Sequence, residues 1–346
     1  MLSSQNGGAE TFFDKLTLAL ADAGVKQCVV IEPNSGREAV LSAHANIDVR
    51  TIRFRGIHEI FGWIRIRMLM RRWQPDIALS WMSRAIKRTP KGQIPIVARL
   101  GGYYRVERFR KADRLIGNTP KIVEYLIENG IPRKDTQCIP NFGEVTEFDG
   151  DLDAAKVTLR AEYGIPPTDT LLLTLGRLHP SKAHDILLNA LALVKNASLL
   201  LAGDGPDKTA LEKLCKDLEI AERVHFLGWR DDIARLFAAS DICVFPSRKE
   251  PFGNVVVESW AQRTPLVAAD SDGPSWLISP ETDALLVPVD DADALAESIE
   301  KLRSNEELAT KLVVNGYEKY QTHYSKPAIV EQYLTMFREV LSQWKS

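Results

Sequence analysis

The stretch PSRKEPFGNVVVE occupies residues 246–258 and overlaps the end of the apolar run ICVFP. This pattern predicts a buried strand, a turn and a helix that begins near Asn254. Gly253 lets the turn approach a ligand closely, and the N–H groups of the helix N-terminus can take an anion. Glu250 and Glu258 are each explained alone as a surface charge or as an acid stabilised by the helix dipole. The turn and both acids together favour a ligand site.

The alternation of strand and helix continues through the whole chain. Apolar strand candidates in the second half span residues 170–175, 197–202, 223–227, 242–246, 265–269 and 285–288. Those in the first half span residues 25–32, 47–53, 76–82, 94–100 and 114–118. Helical apolar spacing occurs at residues 11–23, 57–73, 292–303, 306–320 and 327–345. Continuous apolar strands that alternate with helices predict parallel sheets covered on both faces.

The predicted fold class is therefore α/β, with two Rossmann-like domains facing each other across a cleft. The polar stretch 143–153, which is rich in Asp and Glu, predicts the linker between them. We expect an N-terminal domain over residues 1–148 and a C-terminal domain over residues 149–325. A final helix over residues 326–346 can pack back on the N-terminal domain.

The composition is that of an ordinary globular protein. The 346 residues suit two domains, and 45% hydrophobic residues suffice for two cores. The four cysteines (Cys28, Cys138, Cys215 and Cys243) form no CxxC pair and predict reduced thiols. We expect a cytoplasmic location, because the first residues lack a signal-peptide pattern and no apolar run approaches the ~20 residues that span a bilayer.

Basic residues are concentrated in the first half of the chain. Residues 1–150 carry 23 Lys and Arg against 16 Asp and Glu, whereas the rest of the chain carries 21 against 30. The excess is densest over residues 50–114, which hold 17 basic and four acidic residues. These charges favour an anionic partner, either phosphorylated lipid headgroups, an acidic glycan or nucleic acid. A solvated basic face without a partner explains them as well.

The helical segment 57–73 combines aromatic and aliphatic residues with four arginines. Such a basic amphipathic helix predicts either a peripheral contact with an anionic membrane or an apolar stripe that is buried on its own sheet. The two interpretations are compatible if only the outer edge of the helix meets lipid.

Two cations follow the first strand of the second half. Gly176 and Arg177 come directly after Leu175, and Lys182 follows them. Open α/β sheets bind ligands at the carboxyl ends of their strands, where Arg engages phosphate oxygens bidentately and Lys acts as a point charge. Seen alone, both residues are also explained as ordinary surface cations.

Glycine turns add two weaker candidates. The tight turn Gly203-Asp-Gly-Pro206 closes the next strand in the same layer. Gly7 and Gly8 precede a predicted helix and would present amides to a phosphate, although a plain loop explains them equally well.

Several other kinds of site lack support in the sequence. The six histidines form no metal-ligand cluster, although His179 and His184 lie near the predicted phosphate site. The chain contains no GxSxG nucleophile motif, no GxxxxGK[ST] P-loop and no GxGxxG dinucleotide fingerprint. The last of these absences counts against an NAD-dependent enzyme.

Together these residues resemble the retaining family 4 glycosyltransferases, also called glycosyl transferases group 1, which have the GT-B fold. The segments of similarity in the second half are GR at 176–177, KAHD at 182–185, GDGP at 203–206, FLGW at 226–229 and PSRKEPFGNVVVE at 246–258. Those in the first half are NGGAETFF at 6–13, PDI at 75–77 and IPN at 139–141. The resemblance implies a hexosyltransferase that uses a nucleotide-diphosphate donor such as GDP-mannose or a UDP-hexose, with no metal or other cofactor.

The resemblance also implies roles for the candidate residues. Arg177 and Lys182 would hold the donor diphosphate, and Glu258 would bind the ribose. Glu250 would bind the transferred sugar, so Glu250, Arg177 and Lys182 are the candidate catalytic residues. The other candidate donor-binding residues are Gly7, Gly8, Gly176, Gly203, Trp229, Arg230, Phe252, Gly253, Asn254 and Val255. Retention is expected to proceed by front-face attack, with the departing phosphate accepting the proton of the nucleophile.

The stretch 98–119 is similar to sugar transferases of lipopolysaccharide core assembly. This similarity implies an anionic glycan or glycolipid acceptor at a membrane surface. We expect no nucleic-acid partner for the basic segment 50–114, because no recognised nucleic-acid-binding motif is present. Many family members place a sugar-binding histidine where this chain has Gly101 and Gly102. That contact would come from Tyr103, Arg105 or elsewhere, or be absent.

The family also opens with a strand before the GG loop, for which only residues 1–5 are available here. That strand lies near the middle of a doubly wound sheet, so its loss would leave unpaired backbone in a core. We therefore expect a truncated or misplaced start.

Two other functions are alternatives on the sequence alone. A nucleotide-sugar epimerase of the same fold would bind the same donor without an acceptor, and the basic, aromatic first half argues against it. A non-enzymatic two-lobed sugar-binding protein is disfavoured by the missing signal peptide and by the phosphate-binding cations.

Overall fold

A computed structural model describes residues 8–54, 58–92, 94–143 and 147–345. Contacts divide the chain into two compact units. Unit 1 comprises Met1–Asn141 with Lys326–Ser346, and unit 2 comprises Phe142–Ser325. Unit 2 is thus continuous in sequence, whereas unit 1 is assembled from two separate segments of the chain.

Every pair of neighbouring strands among the described residues is parallel. The strands of unit 1 are β1 (Gln27–Ile31), β2 (Ile47–Thr51), β3 (Ala78–Trp81), β4 (Ile96–Leu100), β5 (Arg114–Gly117) and β6 (Thr136–Cys138). Those of unit 2 are β7 (Thr170–Leu175), β8 (Ala197–Ala202), β9 (Val224–Gly228), β10 (Ile242–Phe245), β11 (Leu266–Ala269) and β12 (Leu285–Val287). The predicted α/β class with parallel sheets is confirmed.

Helices connect these strands in both units. Unit 1 begins with α1 (Gly8–Asp22), α2 (Ser35–Ser42), α3 (His58–Trp73), α4 (Met82–Arg88) and α5 (Pro120–Glu128). Unit 2 contains α6 (Leu152–Tyr163), α7 (His184–Leu193), α8 (Lys208–Asp217), α9 (Ile233–Ala239), α10 (Asn254–Ala261), α11 (Asp272–Leu277), α12 (Ala292–Ser304) and α13 (Glu306–Lys319). The chain returns to unit 1 with α14 (Lys326–Lys345). None of the helices in the described ranges has the length and hydropathy needed to cross a membrane.

The strands predicted from apolar runs are confirmed, each to within two residues at either end. β6 was not predicted, because its three residues are only half-buried and carry no apolar run. The four cysteines, all within the described ranges, are free as predicted. Burial raises the pKa of Cys28 to about 11 and that of Cys138 to about 12, so both thiols are protonated at neutral pH.

The described strands of unit 2 form one sheet in the order β12-β11-β10-β7-β8-β9. β7 lies inside this sheet because both of its faces are apolar. Leu171 and Leu173 pack in the core on one face, and Leu172 packs in the core on the other. The direction in which successive strands are added reverses between β7 and β10. Such a switch point is where open α/β sheets bind ligands, at the carboxyl ends of the strands.

Within the described residues, unit 1 contains a two-stranded sheet, β1-β2, and a four-stranded sheet, β3-β4-β5-β6. Residues of β1 and β3 both line one mainly apolar cavity of about 250 Å³, which α1 and α3 also border. The strand that the family resemblance places before the GG loop would fall on residues outside the described ranges.

Arg99 on β4 is a buried cation that joins distant parts of unit 1. Its side chain is 3% exposed, and its guanidinium donates to the Ile139 carbonyl oxygen at 3.0 Å and to Asn141 Oδ1 at 2.6 Å. The guanidinium carbon lies 4.7 Å from the ring centroid of Phe12 on α1 and 6.0 Å from that of Tyr333 on α14. Burial lowers the pKa of Arg99, but a guanidinium stays charged in proteins. Among the described residues, hydrogen bonds and aromatic faces therefore take the place of a carboxylate partner for Arg99.

We predict that Arg99→Met lowers the free energy of unfolding by about 2–4 kcal/mol, because buried acceptors lose their donor. Urea unfolding followed by circular dichroism measures the change. The control is Arg50→Met, which removes an exposed ion pair with Asp48 and should leave the unfolding midpoint where it is. Equal midpoints for Arg99→Met and the parent protein would contradict the role given to Arg99.

Candidate functional site

Glycine-containing turns meet at the carboxyl ends of β7, β8 and β9. The Gly176 amide donates to the Ala202 carbonyl oxygen at 3.0 Å, and the Gly203 amide donates to the Gly228 carbonyl oxygen at 2.8 Å. A Cβ atom on Gly203 would lie 1.9 Å from the backbone oxygen of Gly176, so there is no space for a side chain between these turns. The predicted GR and GDGP segments therefore lie back to back, with Trp229 directly after the third turn.

The turn between β10 and α10 is also held by backbone contacts. The Gly253 amide donates to Glu250 Oε1 at 3.3 Å, and the Gly273 amide donates to the Glu250 carbonyl oxygen at 2.7 Å. Gly253 has a φ of +95°, which a residue with a side chain adopts only under strain. A Cβ atom on Gly273 would lie 2.1 Å from the oxygen of the buried Phe252. The strand, turn and helix predicted here are confirmed, and α10 begins at Asn254.

Lys182 and Glu250 form an ion pair at the switch point of unit 2. Lys182 Nζ donates to Glu250 Oε2, and the two side chains are 23% and 15% exposed. One residue follows β7 and the other follows β10, the two strands between which the direction of strand addition reverses. Arg177 lies exposed in the same turn as Lys182. The structure thus brings Lys182 and Glu250 into contact and places Arg177 in the same turn as Lys182, in the loop layer at the carboxyl ends of the strands of unit 2.

The N-terminus of α10 points its amide groups toward this loop layer. The first-turn N–H groups of a helix have no partner within the helix, so they attract anions together with the helix dipole. Asn254 is exposed and Val255 is half-buried at that position. Glu258 lies half-buried further along the same helix.

The edge of the sheet after β9 carries the residues predicted to lie near a nucleobase. Trp229 is 81% exposed and donates from Nε1 to Asp231 Oδ1 at 3.3 Å. Arg230 donates from Nε and from an Nη group to the two carboxylate oxygens of Asp232, both at 2.7 Å. The Arg230 guanidinium is thus already paired with a carboxylate, and these hydrogen bonds raise the pKa of Arg230. The large exposed surface at this edge is therefore the indole of Trp229.

The remaining candidates lie in unit 1. Gly7 is outside the described residues, and Gly8 is the first residue of α1. Tyr103 and Arg105 are exposed in the loop after β4, and Tyr103 contacts Tyr125 edge-to-face with ring centroids 5.2 Å apart.

Sequence reasoning gave no role to several polar residues of this region. The guanidinium of Arg248 pairs with Asp185 and Asp290. The Ser247 and Ser271 hydroxyls are buried at the ends of β10 and β11 with no hydrogen-bond partner in the described part of the chain. Arg248 and Asp185 both fall in segments on which the family resemblance rests, but a side chain that acts through another leaves no spacing signal in a single sequence.

His184, at the start of α7, lies under the GR turn. A Cβ atom on Gly176 would be 3.8 Å from His184 Nε2. Burial lowers the pKa of His184 to about 4, so the imidazole is neutral at pH 7. No group of three or more His, Cys, Asp or Glu side chains in the described ranges is placed to hold a metal ion.

Known protein families account for both halves of the chain. The family described as Glycosyltransferase Family 4 matches residues 6–144, and that described as Glycosyl transferases group 1 matches residues 156–319. The lipopolysaccharide core biosynthesis glycosyltransferase LpsE of Rhizobium meliloti is 35% identical over 338 residues, which are 96% of this chain and 96% of LpsE. This chain belongs to glycosyltransferase family 4.

Two further comparisons agree with this assignment. The lipopolysaccharide core biosynthesis glycosyltransferase LpsD of Rhizobium meliloti is 32% identical to this glycosyltransferase and covers 96% of it, with 95% of LpsD matched. The crystal structure of HepE from Anabaena in complex with UDP superposes with a TM-score of 0.81 at 21% identity, over 98% of each chain. The fold is therefore GT-B, as the resemblance implied.

We predict that Gly203→Ala destabilises this glycosyltransferase by about 3 kcal/mol or more, because the new methyl group cannot fit beside the backbone of Gly176. Gly164→Ala is the matched control. Gly164 also has a positive φ, +65°, but nothing lies within 4 Å of a Cβ atom there. The control should lose only about 1 kcal/mol, for the backbone conformation alone. Thermal unfolding compares the two variants, and equal losses would contradict the close approach of the two turns.

Proposed function

We propose that this glycosyltransferase moves a hexose, with retention of configuration, from a nucleotide-diphosphate sugar to a glycan or glycolipid acceptor in lipopolysaccharide core synthesis. The observation that carries the proposal is the Lys182–Glu250 pair at the switch point, beside the N-terminus of α10. The names of LpsE and LpsD support the lipopolysaccharide core as the setting.

The donor diphosphate would replace Glu250 as the partner of Lys182. Lys182 is now neutralised by Glu250, and a diphosphate carries more negative charge than a carboxylate. Lys182 would turn to the diphosphate, with Arg177 and the first amides of α10 completing its neutralisation. Glu250 would then be released to accept hydrogen bonds from the hydroxyls of the sugar, with the amides of residues 252–254.

The remainder of the donor would extend along the same loop layer. Glu258 would accept hydrogen bonds from the ribose diol, and the exposed indole of Trp229 offers a flat surface for the base. Gly176 and Gly203 would allow the backbone to approach the donor. HepE has also been solved in complex with UDP-glucose, at 22% identity to this chain, which supports including UDP-sugars among the donors tested.

The chemical step would need charge stabilisation more than an acid or a base. Negative charge develops on the departing diphosphate, and Arg177, Lys182 and the α10 N-terminus would supply the cations and the helix dipole that stabilise it. The departing phosphate would accept the proton of the attacking hydroxyl on the same face of the sugar. We propose that this arrangement works without a metal ion.

The acceptor and the membrane would be met by unit 1. α3 exposes Phe61 (62%), Trp63 (40%) and Met68 (55%), and the Arg67 guanidinium lies 5.1 Å from the Trp63 ring centroid. Exposed aromatic and aliphatic side chains mixed with arginines suit the surface of an anionic membrane. We propose a peripheral position on the cytoplasmic face of the inner membrane, with Tyr103 and Arg105 as acceptor contacts.

We predict that one donor of a panel (UDP-glucose, UDP-galactose, UDP-N-acetylglucosamine and GDP-mannose) binds selectively. Glu258→Ala should weaken its binding about tenfold or more, because the ribose loses charge-assisted hydrogen bonds. Isothermal titration calorimetry and donor hydrolysis measure both effects.

The panel is run with and without EDTA, so that loss of binding on chelation would contradict metal independence. The control is Glu222→Ala, which removes an exposed acid on the surface of the same unit and should bind the donor like the parent. Failure of every donor to bind would contradict the proposed function.

We predict that the parent protein floats with vesicles containing phosphatidylglycerol and stays behind with neutral vesicles. The double variant Phe61→Ser/Met68→Ser should bind the anionic vesicles about tenfold more weakly, because two apolar side chains no longer enter the membrane. Val157→Ser is the control, since Val157 is 69% exposed on α6 of unit 2. Failure of the parent to float with the anionic vesicles, or equal flotation of the parent and the double variant, would contradict the membrane contact. Equal flotation of the parent on neutral and anionic vesicles would contradict the preference for anionic lipid.

A further inference from the structure

Arg248 follows β10 and is engaged by three separate segments of unit 2. Its Nη1 group donates to the Pro180 carbonyl oxygen at 2.7 Å and to Asp185 Oδ1 at 2.9 Å. Its Nη2 group donates to Asp185 Oδ2 at 2.7 Å, and its Nε group donates to Asp290. One guanidinium thus spans the turn after β7, the start of α7 and the segment after β12.

These partners lie beside the two charged residues of the donor site. Pro180 belongs to the short 3₁₀ turn that ends at Lys182, and Arg248 precedes Glu250 in the loop after β10. A second link joins the same two segments, because the Lys249 amide donates to the Ser181 carbonyl oxygen at 3.2 Å. The positions of Lys182 and Glu250 relative to each other therefore depend on the hydrogen bonds that hold these two segments together.

The charges of Arg248 and Asp185 favour an ion pair that persists at neutral pH. Burial raises the pKa of Asp185, but the hydrogen bonds with Arg248, the attraction of its positive charge and backbone hydrogen bonds together outweigh burial and lower that pKa below its usual value. The same hydrogen bonds raise the pKa of Arg248. Both groups are therefore charged throughout the neutral range, and the pair is lost only when acid protonates Asp185.

We infer that Arg248 is a positioning residue of the donor site, which fixes the loop carrying Glu250 against the turn carrying Lys182. This inference deepens the proposed function and rests on it. A planar guanidinium reaches two carboxylates and a carbonyl oxygen at fixed angles, which a lysine ammonium cannot reproduce. The arrangement matters because catalytic groups lose effect when they are displaced by about 1 Å.

Arg160→Ala provides a matched control in the same unit. Arg160 pairs with Asp241 at 2.7 Å and donates to the Asp169 carbonyl oxygen at 2.8 Å. Its side chain is 15% exposed, compared with 26% for Arg248. Asp169 and Asp241 precede β7 and β10, so this pair lies at the opposite, amino end of the sheet. A general loss of stability would affect both variants, whereas a loss of positioning would affect only Arg248→Ala.

The first measurement is hydrogen–deuterium exchange of the whole protein without any donor. Arg248→Ala should increase exchange in peptides that cover residues 246–256, and Arg160→Ala should leave those peptides unchanged. Unchanged exchange there in Arg248→Ala would overturn the inference, whatever the protein binds.

The second measurement is the Kd and the hydrolysis rate of whichever panel donor the parent protein binds. Arg248→Ala should raise the Kd or lower the hydrolysis rate about tenfold, and Arg248→Lys should recover only part of the loss. Full activity of Arg248→Ala beside a parent that binds the donor would overturn the inference and leave the proposed function standing. A parent that binds no donor would overturn the proposed function, and with it the link to a donor. Increased exchange of residues 246–256 in Arg248→Ala would in that case still show that Arg248 holds the loop after β10 against the turn after β7.

Discussion

Backbone packed directly against backbone is the constraint on which the site in unit 2 depends. Gly203 abuts Gly176, and Gly273 abuts Phe252, at separations that exclude a Cβ atom. Since these contacts involve main-chain atoms, the turns after successive strands cannot drift apart without losing hydrogen bonds of the sheet edge. These main-chain contacts therefore fix the points at which side chains leave the turns. The hydrophobic strands below, such as β7 with both faces buried, provide the rigid base.

The charged side chains in the loops above the sheet of unit 2 form ion pairs that differ in the number of partners each cation has. Arg248 is surrounded by two carboxylates and a carbonyl oxygen, so it has little capacity to serve anything else. The pair of Lys182 with Glu250 is a single contact between two partly exposed groups. Under the proposed function, a diphosphate would replace one carboxylate partner in the second kind of pair, whereas in the first it would have to replace several partners of one guanidinium. The loop layer thus combines a fixed framework of charges with a pair that is open to exchange, as a site for an anionic, multiply hydroxylated ligand requires.

Local patterns in the sequence predicted most of the fold, because apolar runs and glycine turns report directly on burial and backbone shape. The strand, turn and helix at residues 246–258 are the plainest case. β6 has three half-buried residues and gave no such pattern. The role inferred for Arg248 was equally invisible, since its partners come from distant parts of the chain and only the assembled sheet brings them together. The engagement of Arg230 by Asp232 is a matter of side-chain geometry, which residue type and spacing do not determine.

The discontinuity of unit 1 has a consequence for synthesis on the ribosome. Phe142–Ser325 forms a unit of its own, and α14 is translated only after it. Arg99 on β4 cannot meet Tyr333 until that last helix has emerged. Unit 1 therefore remains incomplete while the residues of unit 2 are synthesised, and the Arg99 guanidinium lacks its contact with the ring of Tyr333 until α14 is available.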